Sequence, residues 1–315
     1  MSATLPREVR DREVRMVAVP VATVWTSPDA PRDVDSPAVW DQPDVPRWTA
    51  SLDAATRKDL HGRIVTQLLL GEPVEVVEER DGWAWGHALV QPSAQAARGY
   101  PGWVRSAHLA EPVQDIRGPL VVVVADDAAC VLDTGDELRL SFGTRLRAES
   151  PEEGVVPLPG GGRGRVAPEQ LRTVDALPAY RPDDVVATAR RFLGLRYLWG
   201  GTSAWGVDCS GLVHLTHRAH GVVLPRDASD QAAAVEPVPL DQVRPGDLYF
   251  FARPGRPVFH VGFVTRPVDT DGVRWMLHAP ESGELVEDAP LHVRRRDALV
   301  SAGRVPALAD AGLQA

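Results

Sequence analysis

The sequence predicts two small all-β barrels followed by an α+β domain. Three observations carry that prediction. Residues 15–110 alternate short apolar runs with turn signals, Asp81-Gly82 among them, and residues 115–175 repeat the rhythm in a weaker form. From Asp183 the apolar spacing becomes helical, at Val185, Val186, Ala189, Phe192 and Leu193. Beyond Val243 strand-like segments return and carry histidines, and a helical half followed by such strands is an α+β layout. The boundaries implied are 1–112 for an N-terminal segment and first barrel, 113–176 for a second, degenerate barrel, and 177–315 for the α+β domain.

Within the first barrel, residues 16–24 read as one strand. Residues 28–49, rich in Pro and Asp, read as a loop around Trp40 and Trp48, and 53–62 as a short helix. Strands follow at 64–70, 74–79 and 83–87, and the segment 99–109, with Gly102-Trp103-Val104 inside it, closes the block. In the second barrel 119–125, 129–132 and 137–146 read as strands, 160–164 as a glycine turn, and 164–171 as an echo of the first closing segment. Residues 175–182, with two prolines, are a linker. Asp183 or Asp184 is placed to cap the helix that follows. The Ala-rich tail after Arg304 is expected to fray.

Composition narrows the function. An apolar share of 44% and a charged share of 24% are ordinary for a globular chain, and 315 residues are ample for a core. A net charge of −9 argues against a nucleic-acid partner, which needs a basic face to meet phosphates. The two cysteines, Cys130 and Cys209, fall in different domains, so no disulfide framework is expected. Residues 1–15 alternate charges and lack the apolar centre of a secretory signal, and no run of about 18 apolar residues exists to span a membrane. A cytoplasmic protein without a membrane partner is the expectation.

The chemistry gathers around Asp208-Cys209-Ser210-Gly211, which follows a glycine- and aromatic-rich loop. Leu212, Val213, Leu215 and Ala219 then trace a helix, with Asp208 and Ser210 able to cap its first turn. Cys209 therefore starts a helix, where backbone N–H groups and the dipole favour a thiolate. A thiolate that attacks an amide needs a base, and His260 opens a strand while His278 ends the next. Adjacent antiparallel strands can set the two rings side by side, so that His278 orients His260. Cys130, amid apolar neighbours, reads as a core residue. His214, His217 and His220 are spread by helical drift around the surface, which argues against a metal site. His292 is the alternative third residue, though it stands beside a run of arginines. The glycines at 160–164 lack the Lys and Ser/Thr of a phosphate loop, so no nucleotide or other cofactor is expected.

Two resemblances follow from these motifs. Gly71-Glu72-Pro73, Asp81-Gly82-Trp83 and Gly102-Trp103-Val104 resemble a bacterial SH3-type (SH3b) domain. Tyr197-Leu198-Trp199-Gly200-Gly201, Asp208-Cys209-Ser210-Gly211, Leu224-Pro225-Arg226, Pro245-Gly246-Asp247, His260-Val261-Gly262 and His278-Ala279 resemble, in order, the NlpC/P60 family of cell-wall cysteine peptidases over roughly residues 183–302. That resemblance implies a papain-like α+β catalytic fold preceded by SH3b barrels. It is similar to the branch of γ-D-glutamyl-L-diamino-acid endopeptidases that act in murein-peptide recycling, and there it implies a triad of Cys209, His260 and His278. It further implies that the first barrel walls the active site, that Tyr100 and Asp208 hold the free amine of an N-terminal L-Ala, and that Tyr197 faces the oxyanion. Glu72 is one candidate for an acidic barrel contact. Trp199, Ser210 and Arg226 are further substrate-binding candidates. Ala228 stands where the family has a Ser, and Ser229 is a possible replacement. The expected partner is a peptidoglycan-derived peptide, confined by the amine requirement to peptides already cut from the sugar. An N-acetylmuramoyl-L-alanine amidase, an acyltransferase with the same triad, and an inactive wall-binding protein stay open as rivals, as does the oligomeric state.

Overall fold

The computed structural model describes residues 7–114, 116, 118–177, 180–281 and 284–306. The tail expected to fray falls, from residue 307, outside them. The chain divides into two compact units: one takes the chain up to Leu177 together with Leu198–Val207, and the other takes the remainder.

The first unit is β-rich. A seven-stranded antiparallel sheet runs in the order Ile64–Leu69, Val21–Trp25, Tyr100–Arg105, Trp83–Ala88, Pro73–Arg80, Arg7–Val17, Leu109–Ala110. Its core is aliphatic, with Val17, Val24, Leu68, Val74, Val76 and Val104 buried together around Tyr100. The Asp81-Gly82 turn is real: both residues have positive φ, 51° and 78°, the signature of the tight turn whose twist matches a hairpin. Two expectations need correction. Residues 16–24 are not one strand but the end of Arg7–Val17 and the whole of Val21–Trp25, interrupted at Pro20, which has no N–H to give a ladder.

The second correction concerns residues 28–49, which are not a loop. They form a short 3₁₀ turn at Asp33–Asp35 and helices at Ser36–Val39 and Val45–Ser51. The Pro and Asp residues that read as breakers sit at helix starts: Asp44 accepts from the Arg47 backbone N–H, and Pro37 and Pro46 occupy the first turns, where no N–H is missed. Trp48 is fully buried and its indole N–H donates to Asp35 at 2.9 Å, while Arg32 grips the same carboxylate at 2.7 and 2.9 Å. Asp53 caps the helix Ala54–Lys58 through the Thr56 N–H.

Residues 120–173 build two further antiparallel sheets. One is ordered Glu137–Ser141, Asp127–Leu132, Arg163–Val166, Val155–Pro157, and the other Arg145–Arg147, Leu120–Val123, Leu171–Thr173. Together they bury Val121, Val123, Cys130, Leu140, Val156 and Val166. The single strand expected at 137–146 is two, split at Gly143 where φ is +84°. The segment Leu198–Val207 belongs to this unit. The Trp199 indole donates to the Ile64 carbonyl at 2.9 Å, the Thr202 hydroxyl to the Gln67 carbonyl at 2.9 Å, Ser203 to the Gln67 side chain at 3.1 Å, and the Ala204 N–H to Ser141 Oγ at 2.9 Å.

The second unit is α+β. Helices Pro182–Ala189, Cys209–Ala219 and Ala228–Ala234 precede a six-stranded antiparallel sheet ordered Glu236–Val238, Leu299–Arg304, Leu248–Ala252, Val258–Val264, Trp275–His278, Glu287–Pro290. The first helix starts two residues earlier than the nearer of its acidic caps suggested. Arg181 takes the cap position and Pro182 the first turn, so Asp183 and Asp184 lie inside the helix, where they face its positive end. Every residue from Cys209 to Arg218 is buried, because this helix packs against the His260 strand and both neighbouring helices.

Candidate active site

Cys209 is the first residue of its helix, as the sequence implies, and Asp208 is the cap. The Asp208 carboxylate accepts the Gly211 N–H at 2.6 Å. Ser210 lies inside the helix and does not cap it. The expected thiolate is the part that fails. Burial pushes the Cys209 thiol up to about 12, and the adjacent Asp208 carboxylate adds to this. The backbone N–H groups of Val261 and Ser210 bond the sulfur and pull the other way without prevailing. At rest Cys209 is a neutral thiol.

The candidate base stands on the neighbouring sheet. His260 lies in Val258–Val264, which pairs with Trp275–His278 in the register Phe263 to Leu277. His260 and His278 are therefore diagonal neighbours on one face, and His260 Nε2 lies 2.9 Å from His278 Nδ1 with the rings edge-on at 82°. Gly262 makes room for this. A Cβ there would lie 2.8 Å from the His278 Cβ and 2.6 Å from the Met276 sulfur. Both imidazoles are buried, and burial holds both below their usual range, His260 well below it, with Arg295 adding to each. Both are neutral at neutral pH.

A second polar group sits behind the cysteine. Arg226, 1% exposed, grips Asp208 with two nitrogens at 2.9 and 2.7 Å and reaches Ser210 Oγ at 3.0 Å. The pairing of these three was not legible in the sequence, which offered each as a separate substrate contact. Tyr197 is buried in the same unit, and burial, with the Asp208 carboxylate adding to it, holds its phenol well above the usual range, so it is an O–H donor. Ser229, half-buried, bonds Asp230. One unit thus collects Tyr197, Asp208, Cys209, Ser210, Arg226, His260 and His278.

The other sequence-derived candidates lie in the β-rich unit. Tyr100 is part of its core, and its hydroxyl accepts from Gln95 at 3.1 Å. The Trp199 ring lies tilted against His61 with centroids 4.2 Å apart, so its indole serves barrel packing. Glu72 is buried with Gln91 at 3.5 Å. Cys130 is a core residue whose thiol burial pushes up to about 11.

The histidines after Cys209 require a correction. His214 and His217 are buried, not spread over the surface, and their Nδ1–H groups donate to the carbonyls of Leu224 and Val213 at 2.7 and 2.8 Å. His217 stacks between Tyr180 and Phe263. His220 meets Thr188 at 2.8 Å. Among the described residues no group of three or more His, Cys, Asp or Glu is placed to hold a metal ion, and no helix among them is long and apolar enough to cross a membrane. His292, the alternative third residue, is exposed.

A neutral thiol at a helix start, bonded by the N–H of the residue that follows one member of a buried histidine pair, is the equipment of a cysteine peptidase. The NlpC/P60 family model matches residues 194–303, and the model of the bacterial dipeptidyl-peptidase SH3 domain matches residues 57–109. The chain belongs to the NlpC/P60 family and is a hydrolase with an SH3 domain. It is 36% identical over 278 residues to the γ-D-glutamyl-L-lysine dipeptidyl-peptidase of Bacillus subtilis (strain 168), covering 85% of this chain and 90% of that one. It is 32% identical to the protein of the same name from Bacillus cereus (strain ATCC 10987 / NRS 248), covering 88% and 86%. The crystal structure of an NlpC/P60 family protein from Bacillus cereus ATCC 10987 superposes with a TM-score of 0.86 at 30% identity, over 93% of this chain and 99% of that chain.

Proposed function

We propose that this chain is a cysteine endopeptidase that hydrolyses the γ-D-glutamyl–L-diamino-acid bond of peptidoglycan-derived peptides bearing a free N-terminal L-Ala. The observation that carries the reading is the buried pair of His260 Nε2 and His278 Nδ1, 2.9 Å apart on adjacent strands, with Val261, the residue after His260, giving its N–H to the Cys209 sulfur. The names of the relatives support the bond. Cys209 gives its proton to His260 as its sulfur attacks the carbonyl, and the tetrahedral intermediate collapses to a thioester as the protonated His260 delivers that proton to the leaving amine. Water, deprotonated by His260, then releases the acyl group and restores the thiol. His278 orients His260, and the neutral Tyr197 hydroxyl donates to the oxyanion.

Asp208 and Tyr100 are proposed to read the substrate amine, with Ser210 and Arg226 fixing the Asp208 carboxylate. A site built around a cationic amine rejects a blocked one by as much as about 10⁴-fold, because the buried acceptor is left without a charge to meet. Confinement to free peptides suits a cytoplasmic enzyme of murein-peptide recycling, and that is the role proposed. Residues 113–176 are proposed as a degenerate second SH3b barrel, with 1–112 before it and the peptidase domain at 177–315. The test incubates the protein with L-Ala-γ-D-Glu-meso-diaminopimelate and its N-acetylated form and follows products by mass spectrometry. Equal cleavage of both sinks the amine reading, and activity surviving in Cys209→Ala sinks the mechanism.

A further inference from the structure

We propose that Glu287 is a positioning residue of this site, a fourth member of the row Cys209, His260, His278 that fixes which nitrogen of each imidazole carries its proton. The proposal deepens the hydrolase mechanism above and rests on it. Glu287 and His278 are direct partners across the ladder between Trp275–His278 and Glu287–Pro290, which sets their side chains on one face. His278 Nε2 lies 3.3 Å from Glu287 Oε1.

The order of protons follows from what each group can do. Glu287 is held below the usual carboxylate range, chiefly by His278, so it is ionised at neutral pH and only accepts. His278 Nε2 therefore carries the hydrogen. His278 is neutral, so its Nδ1 offers a lone pair, and that lone pair faces His260 Nε2 at 2.9 Å. His260 Nε2 then carries its hydrogen, and His260 Nδ1 is bare and able to take the Cys209 proton. The opposite order begins with a hydrogen on His278 Nδ1. It ends with a hydrogen on His260 Nδ1, and such a ring cannot act as the base. An acceptor at His278 Nε2 selects the productive order.

The remaining charges nearby do not do this work. Arg295 faces both histidines and Glu287, and donates to the Pro280 carbonyl. His292 acts on Glu287, and Glu281 and Glu287 act on Glu284. Among the described residues Glu287 is the one whose carboxylate lies within 4 Å of a His278 nitrogen. Its side chain is 53% exposed, so replacing it opens no core cavity.

The test uses the full chain and the free-amine tripeptide. Glu287→Ala and Glu287→Gln are compared with the parent for kcat, KM, pH profile and melting temperature, and long-range ¹H–¹⁵N spectra of the ring nitrogens read the tautomers. Glu287→Ala is expected to lower kcat about tenfold, the worth of one hydrogen bond to a charged group on a half-exposed side chain, with KM and melting unchanged. Its His278 spectrum becomes a mixture of tautomers. Glu287→Gln keeps an oxygen that accepts from Nε2–H, so it recovers most of kcat and the parent tautomers. Its acid limb moves to lower pH, because the carboxylate that raised the His278 pKa is gone. Unchanged kcat and tautomers in Glu287→Ala overturn the proposal, as does an equal loss in both variants without a change of tautomer. A parent protein that fails to cleave the tripeptide counts against the proposed function instead, and the ring-nitrogen spectra still decide on Glu287.

Discussion

Arg226→Met tests the charged group behind the nucleophile. Methionine keeps most of the apolar stem and removes the guanidinium, so Asp208 loses two bonds at 2.9 and 2.7 Å and keeps the Gly211 N–H and the Ser210 hydroxyl. Breaking a buried ion pair from one side costs about 3–5 kcal/mol. The two retained donors place this case at the lower end, about 3 kcal/mol, or about 6–12 °C of melting temperature in a unit of this size. Asp208→Asn in the same background removes the second charge and leaves a residue that still caps the helix. The double variant should therefore recover most of the loss, with a coupling energy of about 2 kcal/mol. Calorimetric melting of the parent, both singles and the double closes the cycle. If Arg226→Met melts within about 2 °C of the parent, or if the two singles simply add, the pair does not hold this helix start and the argument fails.

Four further outcomes are expected. Gly262→Ala should abolish most activity with a modest loss of stability, since its Cβ would lie 2.8 Å from that of His278, and a peptide assay at parent-like circular dichroism checks it. Iodoacetamide should alkylate Cys209 slowly at neutral pH and faster with each step upward in pH, because the thiol is held up to about 12; fast alkylation that is flat from pH 5 to 8 would show a resting ion pair instead. Stability should be fullest above pH 6.5 and fall below it. The unfolded chain binds protons at its histidines near 6.5, while folded His214 and His217 resist until about 3 and about 4, so each costs about 2 kcal/mol by pH 5; melting temperatures that stay level from pH 7 to 5 would refute this. Asp35→Ala should cost about 2–4 kcal/mol in the β-rich unit, read by calorimetry, because it strips the buried Trp48 N–H and Arg32 of their acceptor.

What could be read from the sequence was local or periodic. The cap, the cysteine and the helix are consecutive, so Asp208-Cys209-Ser210-Gly211 declared itself. His260 and His278 were legible as a pair because each sits in an apolar run with strand spacing. What escaped depends on partners far along the chain. Nothing in Asp208 or Arg226 says that two residues 18 apart share a bidentate bond. The burial of His214 and His217 was misread because polar side chains on a helix suggest a solvent face. This helix has no such face, since backbone carbonyls rather than water take its imidazole hydrogens. The Pro- and Asp-rich stretch at 28–49 misled for a related reason, because the same residues that break helices also begin them. Glu287 gave no sequence signal, since its strand was itself not read from the sequence.

The resting site carries no charge on any of the three reacting groups, and that shapes what the surroundings must do. A preformed thiolate would need its cost met before substrate arrives, whereas here charge separates only as the proton leaves Cys209 for His260. Both ends of that separation need groups already in place, because a buried site has no water to reorient. At the sulfur end stand the Ser210 and Val261 N–H groups at the helix start. At the imidazole end stands His278, whose own polarity is set by the acceptor beyond it. Arg226, paired with Asp208 next to the sulfur, positions the helix start and offsets part of the opposition that this carboxylate offers to the new negative charge. On the proposed amine reading, the substrate amine beside Asp208 adds a positive charge close to the sulfur just when it becomes negative. The feature that selects the substrate would then also lower the barrier to attacking it, and a blocked amine would slow kcat as well as weaken binding.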